Sequence, residues 1–181
     1  MASIFGHALA SITLGTSFFK KHQTWKLFSL AIFCSVIPDA DVIGFHYGIS
    51  YGDFWGHRGF SHSFLFAFLL GICVTFLFYR KEFLSKKGMV FILFFFLCTA
   101  SHGVLDAMTN GGYGVAFLSP FNDTRYFFPW RPIKVSPLGI GNFFTEYGLK
   151  VIVSELLWIG LPSVIYIFGT SLLKQYTKHG K

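Results

Sequence analysis

Five long apolar segments dominate this chain and restrict the folds open to it. They cover residues 4–19, 27–45, 61–79, 89–108 and 149–173. About 20 apolar residues in an α-helix cross the roughly 30 Å hydrocarbon core of a bilayer. Only 13% of the 181 residues are charged, roughly half of the usual share in soluble domains. The sequence therefore predicts an all-α, polytopic membrane protein with about five transmembrane helices, built as one domain over residues 1–181. The first segment is the shortest and could instead be re-entrant.

The basic residues predict how these helices are oriented. Ten of the fifteen lysines and arginines would lie on one side if five helices cross in turn: Lys20, Lys21, Lys26, Arg80, Lys81, Lys86, Lys87, Lys174, Lys178 and Lys181. The positive-inside rule places that side in the cytoplasm. We therefore expect the N-terminus outside, the C-terminus in the cytoplasm and a long loop at about 110–148 facing outward. The net charge of +7 is then explained by the basic residues that orient the helices in the membrane, and no nucleic-acid partner is predicted.

Several ionisable residues fall inside the apolar segments at a similar depth. At 1.5 Å per residue, His7, Asp39, His62, His102 and Asp106 lie roughly 20–28 Å from the basic ends of their helices. Burying a charge there costs at least about 2.5–3.5 kcal/mol, so such side chains usually face a partner or a cavity. Imidazole and carboxylate groups both bind zinc and related divalent cations. A shared metal site in the outer half of the membrane is the prediction.

Three short motifs carry these residues. His102 and Asp106 have i,i+4 spacing and so share one helix face, although a capping Asp beside a core His would look the same. Pro38-Asp39-Ala40-Asp41 closes the second apolar segment and could equally be a solvated turn. In the stretch 57–63, His-Arg-Gly-Phe-Ser-His-Ser, a loop enters a helix. Its alternative interpretation is helix capping by Ser61 with Arg58 among the lipid headgroups. Glu155 also lies deep and is a candidate general base or partner of a ligand.

Taken together, these motifs resemble the YdjM-like family, which is described as inner-membrane-associated, metal-dependent hydrolases with mostly inferred activity. The resemblance runs from His7 to about Pro132. It implies a bacterial inner-membrane location and the polar set His7, Asp39, Asp41, His57, His62, His102 and Asp106. This set exceeds the three or four ligands of one zinc site, so one or two ions are expected, with zinc favoured and manganese or magnesium as alternatives.

The primary functional hypothesis is metal-dependent hydrolysis at the extracytoplasmic face. Asp39 or Asp41 would act as general base and Arg58 would stabilise negative charge. Membrane lipids are the expected partners and a lipid or lipid-linked molecule the expected substrate. A phosphoester fits Arg58 and the basic loop best, whereas an amide or ester stays open. The oligomeric state is not predicted.

Two alternatives remain at this point. Intramembrane Asp and His also build paths for protons or divalent cations, so a transporter or channel is one. The nearly pure apolar lower halves of the third and fourth segments argue against such a path. A non-catalytic scaffold with a structural metal is the other, and a closed coordination shell would favour it.

Overall fold

The computed structural model of the protein describes residues 1–18, 24–137 and 140–179, and these are helical apart from the loops. The helices are α1 (Ile4–Phe18), α2 (Trp25–Val36), α3 (Phe64–Phe78), α4 (Lys86–Ala107), α5 (Ile140–Phe143), α6 (Glu146–Glu155) and α7 (Leu161–His179). A 3₁₀-helix, Ile37–Tyr47, continues α2, and a shorter one, Phe60–His62, precedes α3. The π-helical turn Leu156–Gly160 joins α6 to α7. No strand occurs in the described ranges, which confirms the all-α prediction.

Each of the five apolar segments is helical, but their lengths differ. Three helical stretches are long and apolar enough to cross a membrane: Trp25–Tyr47, Lys86–Ala107 and Glu146–Leu172. The apolar helices α1 and α3 have 15 residues each, or roughly 22 Å at 1.5 Å per residue. The prediction of a polytopic helical membrane protein is confirmed for the three long stretches. Full crossing by α1 and α3 stays a prediction.

The central packing joins α2, α3 and α4. A buried apolar cluster unites Leu27 and Cys34 of α2 with Phe94, Phe95 and Cys98 of α4. α3 packs closely on α4 because a glycine lies at their contact. A Cβ atom added at Gly71 would lie 2.8 Å from the carbonyl oxygen of Ile92. This distance is shorter than a normal contact between a Cβ atom and a backbone oxygen, so a side chain here would push the two helices apart. α1 packs against α2, α4 and α7.

The two ends of this bundle differ in character. At one end, the Nζ atom of Lys26 donates to the carbonyl of Phe78 at 2.6 Å and lies over the Tyr79 ring. Arg80 and Lys87 stack on neighbouring phenylalanines at the same end. The start of α1 and the end of α4 meet at the opposite end. Successive long helices therefore run antiparallel, as expected. Lys20 and Lys21 lie outside the described residues. Which end of the bundle faces the outside of the cell stays a prediction.

Two helix boundaries differ from those predicted. The segment 27–45 changes from α to 3₁₀ geometry at Ile37, next to Pro38, whose ring prevents the usual i→i−4 hydrogen bond. The predicted outer loop, 110–148, ends earlier, because α5 begins at Ile140 and α6 at Glu146. The acidic side chain of Glu146 in the first turn suits the positive end of the helix dipole. Hydropathy alone missed these polar helix starts.

Candidate metal centre

Four buried side chains from three parts of the fold converge at the polar end of the bundle. Asp39 comes from the 3₁₀-helix after α2, His62 from the turn before α3, and His102 and Asp106 from the last turns of α4. One ligand atom from each lies within 4.8 Å of the other three. The structure thus brings together the residues that the sequence placed at one depth.

His7 joins this cluster from α1. Its ring stacks on the His102 ring with 3.7 Å between centroids. Its Nε2 atom lies 3.4 Å from Asp106 Oδ1. Neither ring nitrogen of His7 makes a hydrogen bond within the described residues, so the imidazole has a free lone pair beside the cluster.

Asp41 and His57 form a second group with His62. Asp41 Oδ1 lies 2.7 Å from His57 Nδ1. Asp41 Oδ2 accepts from the Ser61 hydroxyl at 2.6 Å and from the Arg58 backbone N–H at 3.2 Å. Burial lowers the pKa of His57 despite the hydrogen bond with Asp41, which acts in the opposite direction. The neutral imidazole then donates to Asp41. Six of the seven predicted ligands thus lie in two adjoining groups that share His62, and the seventh, His7, stacks on His102 beside them.

Hydrogen bonds determine which ring nitrogen of each central histidine faces inward. His102 Nδ1 lies 2.7 Å from the Ser35 carbonyl oxygen, which can only accept, so this nitrogen carries the proton. The Ser61 hydroxyl gives its proton to Asp41 and therefore accepts from His62 Nδ1 at 2.9 Å. In the neutral rings, both Nε2 atoms then carry lone pairs, and they lie only 3.0 Å apart. Two lone pairs at this distance repel each other unless a proton or a metal cation binds to them.

Asp39 has the same requirement for a cation. Its side chain is only 7% exposed, and neither carboxylate oxygen makes a hydrogen bond within the described residues. The nearest groups are His102 Nε2 at 3.3 Å and His62 Nε2 at 3.7 Å from Oδ1. A buried carboxylate without a donor is strongly destabilising. One carboxylate beside two imidazole lone pairs is a ligand set typical of zinc, so these residues fit a divalent metal ion.

Arg58 is bound within the protein. Its side chain is 0% exposed, and its Nε atom donates to Asp106 Oδ2 at 2.9 Å. The other two guanidinium nitrogens donate to the carbonyl of Gly111 and the hydroxyl of Thr109, at 2.8 and 2.9 Å. Asp106 Oδ1 also accepts from the Ala2 N–H at 2.7 Å. Arg58 therefore orients Asp106, and a role in stabilising charge on a substrate stays a prediction.

Ser61 does not cap α3, so its hydroxyl is available to the candidate site. Ser63, not Ser61, accepts from the N–H of Phe66 and caps α3. Ser61 instead links Asp41 to His62. The alternative interpretation of this motif, capping by Ser61 with Arg58 at the headgroups, is therefore wrong on both residues.

Sequence reasoning missed several supporting groups. The carbonyl of Ser35 and the amide of Ala2 are backbone atoms, for which side-chain patterns carry no signal. Glu155, flagged by its depth, accepts hydrogen bonds from the N–H and hydroxyl of Ser3. It thereby fastens the segment ahead of α1 to α6. Glu155 thus fixes the start of the chain, which leads into α1 and His7. It does not belong to either group of potential metal ligands.

Comparison with known proteins identifies the family of this chain. A model of the YdjM inner membrane protein family matches residues 1–177. The chain is also 38% identical over 166 residues to "Inner membrane protein YbcI" of Escherichia coli (strain K12), covering 91% of this chain and 94% of that protein. No solved structure matches significantly. With its long apolar helices, this chain therefore belongs to the YdjM family of integral inner membrane proteins.

Proposed function

We propose that this protein is a metal-dependent membrane hydrolase that acts on a lipid or lipid-linked substrate, with a phosphoester as the first choice. The observation that carries the proposal is Asp39, a buried carboxylate without a hydrogen bond that faces two imidazole nitrogens. A divalent cation would satisfy all three groups at once. We further propose that this end of the bundle faces the extracytoplasmic side.

We assign His62, His102 and Asp39 as the ligands of one ion. Asp106 lies as far from His62 Nε2 as Asp39 does, at 3.7 Å, but farther from His102 Nε2, at 4.0 Å against 3.3 Å. Arg58 and Ala2 already bind it. Two histidines and one carboxylate are typical of catalytic zinc sites, which keep one position for water or substrate.

The second group supports this ion and does not hold another. Asp41 is occupied by His57, Ser61 and the Arg58 amide. His62 faces Asp41 with Nδ1 and the ion with Nε2, so Asp41 and Ser61 orient the ligand. Of the one or two ions that the sequence allows, one fits better.

The chain divides the chemistry among these residues. A divalent metal at this position supplies Lewis acidity, which lowers the pKa of a bound water and polarises the oxygen of the bond to be cleaved. Asp41 lines a cavity of about 400 Å³ together with Ser61. Its carboxylate is therefore the group best placed to receive a proton during hydrolysis. Arg58 holds the Asp106 carboxylate in place beside the cluster by donating to it from Nε.

The interior below the cluster is poorly suited to ion transport. The apolar side chains of α2, α3 and α4 fill the space between the cluster and the basic end. The buried hydroxyls of Ser11, Thr75 and Thr99 bond to carbonyls of their own helices. No chain of polar side chains leads onward in the described residues. This favours hydrolysis over a transporter or channel.

Metal content and activity of the purified protein test the proposal. The wild type is expected to retain about one zinc or related ion per chain and to hydrolyse lipid phosphodiesters or esters in a detergent-based screen. His102→Ala should lose both the ion and the activity. His46→Ala removes an exposed histidine in the last turn of the 3₁₀-helix and should keep both.

The outcomes separate the hypotheses. Stoichiometric metal without hydrolysis across the screen would favour a scaffold with a structural metal. Metal-driven ion flux into liposomes would favour a transporter. Equal metal content in the wild type and His102→Ala would remove the basis of the proposal.

A further inference from the structure

A groove opens on the side of the helix bundle beside Asp41 and Ser61, next to the metal centre. It lies between the 3₁₀-helix Ile37–Tyr47 and the start of α3 and has a volume of about 400 Å³. Its walls include the apolar side chains of Ile37, Ile49, Trp55 and Phe66. Its two polar residues are Asp41 and Ser61. A ligand that fits here needs a long apolar part and one polar end.

Hydrogen bonds link the polar residues of this groove to the metal centre. Ser61 donates to Asp41 at 2.6 Å and accepts from His62, a predicted ligand of the ion. Of the apolar wall residues, Ile37 belongs to the stretch Trp25–Tyr47, which is long and apolar enough to cross a bilayer, and Phe66 to the first turn of α3. Ile49 and Trp55 lie in the loop between these elements. A molecule in the groove would therefore extend from the hydrocarbon region to the reactive groups.

We propose that this groove binds one hydrocarbon chain of the lipid substrate, so that the bond to be cleaved lies beside Asp41 and Ser61. The proposal rests on the hydrolase function and adds how the substrate is bound. The substrate enters sideways from the bilayer, and its chain lies between the apolar walls while its polar end reaches Asp41 and Ser61.

A larger groove, between α1 and α6, does not offer the same connection. It has a volume of about 510 Å³ and is lined by Ile4, Phe5 and Ile152 among others. Ser3, a polar residue that lines this groove just before α1, already donates its hydroxyl to Glu155. None of the seven predicted ligands lines it. It serves as the internal control.

The test compares two phosphodiesters that differ only in the chain. 4-Nitrophenyl methyl phosphate and 4-nitrophenyl hexadecyl phosphate release the same nitrophenolate when water attacks phosphorus. The other product is the alkyl phosphate, and the remaining proton passes to solvent. Ile49→Trp fills the side groove. Gly44→Leu is a second filler, because the three atoms nearest to an added Cβ at Gly44 all belong to the Ile49 side chain, the closest at 3.2 Å. Ile4→Trp makes the matched change in the other groove.

The expected result is a selective loss. Ile49→Trp and Gly44→Leu should lower kcat/KM for the hexadecyl diester at least tenfold, mainly through KM, and change the methyl diester less than twofold. Ile4→Trp should leave both substrates unaffected. An equal loss on both diesters, or a selective loss in Ile4→Trp, would overturn the proposal.

A binding measurement keeps this test separate from the hydrolase proposal. If the wild type cleaves neither diester, hexadecyl phosphate with a terminal diazirine is photo-crosslinked to the full-length protein in nanodiscs. Peptide mass spectrometry should locate the label within residues 37–66, and Ile49→Trp should reduce it at least fivefold. Labelling that Ile49→Trp leaves unchanged would refute the chain-binding groove, independently of any activity.

Discussion

Asp39 and Asp41 show at the residue scale how one short motif yields two different roles. Both close the same helical stretch, yet the Asp39 carboxylate makes no hydrogen bond within the described part of the chain and the Asp41 carboxylate accepts from three neighbours. An anion without donors needs a cation, whereas an anion with donors can orient the groups that bind it. We therefore assign Asp39 to the ion and Asp41 to the support of His62.

This difference predicts unequal effects of the same substitution on metal affinity. Asp39→Asn should abolish stoichiometric zinc binding, because it removes a ligand. Asp41→Asn should weaken binding by about 10–100-fold, as expected for groups that orient a ligand. Competition titration against a zinc chelator measures both. The exposed Asp53→Asn serves as control, and equal losses at positions 39 and 41 would contradict the assignment.

Arg58 predicts a large effect on stability. Lysine cannot reproduce three donors in one plane, so Arg58→Lys would leave Asp106 without its 2.9 Å partner and buried acceptors unpaired. Breaking a buried ion pair costs about 3–5 kcal/mol. Arg58 also has a φ of 64°, a left-handed conformation that these bonds must maintain.

Thermal unfolding of the purified protein in detergent checks this expectation. Arg58→Lys should lower Tm strongly. Arg131→Lys changes an exposed arginine that lies over the Phe127 ring and should change stability by no more than about 0.5 kcal/mol. Similar Tm values for the two variants would show that the Arg58 contacts contribute little.

At the scale of elements, the close contact between α3 and α4 positions the site. His62 precedes α3 and His102 lies near the end of α4, so the spacing of these helices controls the distance between the two imidazoles. Gly71 permits this spacing because its missing side chain leaves room for the Ile92 carbonyl. The absence of a Cβ atom here matters more than conformational freedom.

The glycine contact is testable by adding a side chain. Gly71→Val should push α3 from α4 and destabilise the fold by about 1–3 kcal/mol, as overpacked cores do. It should also weaken metal binding, because His62 moves away from His102. Gly169→Val in α7 has no atom within 4 Å of its new Cβ and should leave Tm and zinc binding unchanged. A stable Gly71→Val with normal zinc affinity would argue against this role for the helix contact.

At the scale of the whole molecule, sidedness follows from the basic residues. Leu84, in the short connection between α3 and α4, is 96% exposed, and Phe121, in the loop after α4, is 84% exposed. In intact cells, a membrane-impermeant thiol reagent should label Phe121→Cys from outside and label Leu84→Cys only after permeabilisation. The wild type controls for its own cysteines, of which Cys34 and Cys98 are buried. The reverse pattern would place the metal centre on the cytoplasmic side.

The amino-acid sequence by itself determined the helical class, the membrane setting and the depth of the ionisable residues. These follow from hydropathy and from a constant rise per residue, which are properties of local chain segments. It also selected all seven residues that the structure brings together, since antiparallel helices bring equal depths to one level.

Only the tertiary structure decided what each of these residues contacts. The direction of Arg58 towards Asp106, the carbonyl of Ser35 that sets the His102 tautomer, and the side groove at Asp41 depend on elements that are distant in sequence. A hydrogen bond requires positions and angles within narrow limits, and these arise only when separate helices pack. Amino-acid composition and residue spacing therefore cannot predict such contacts.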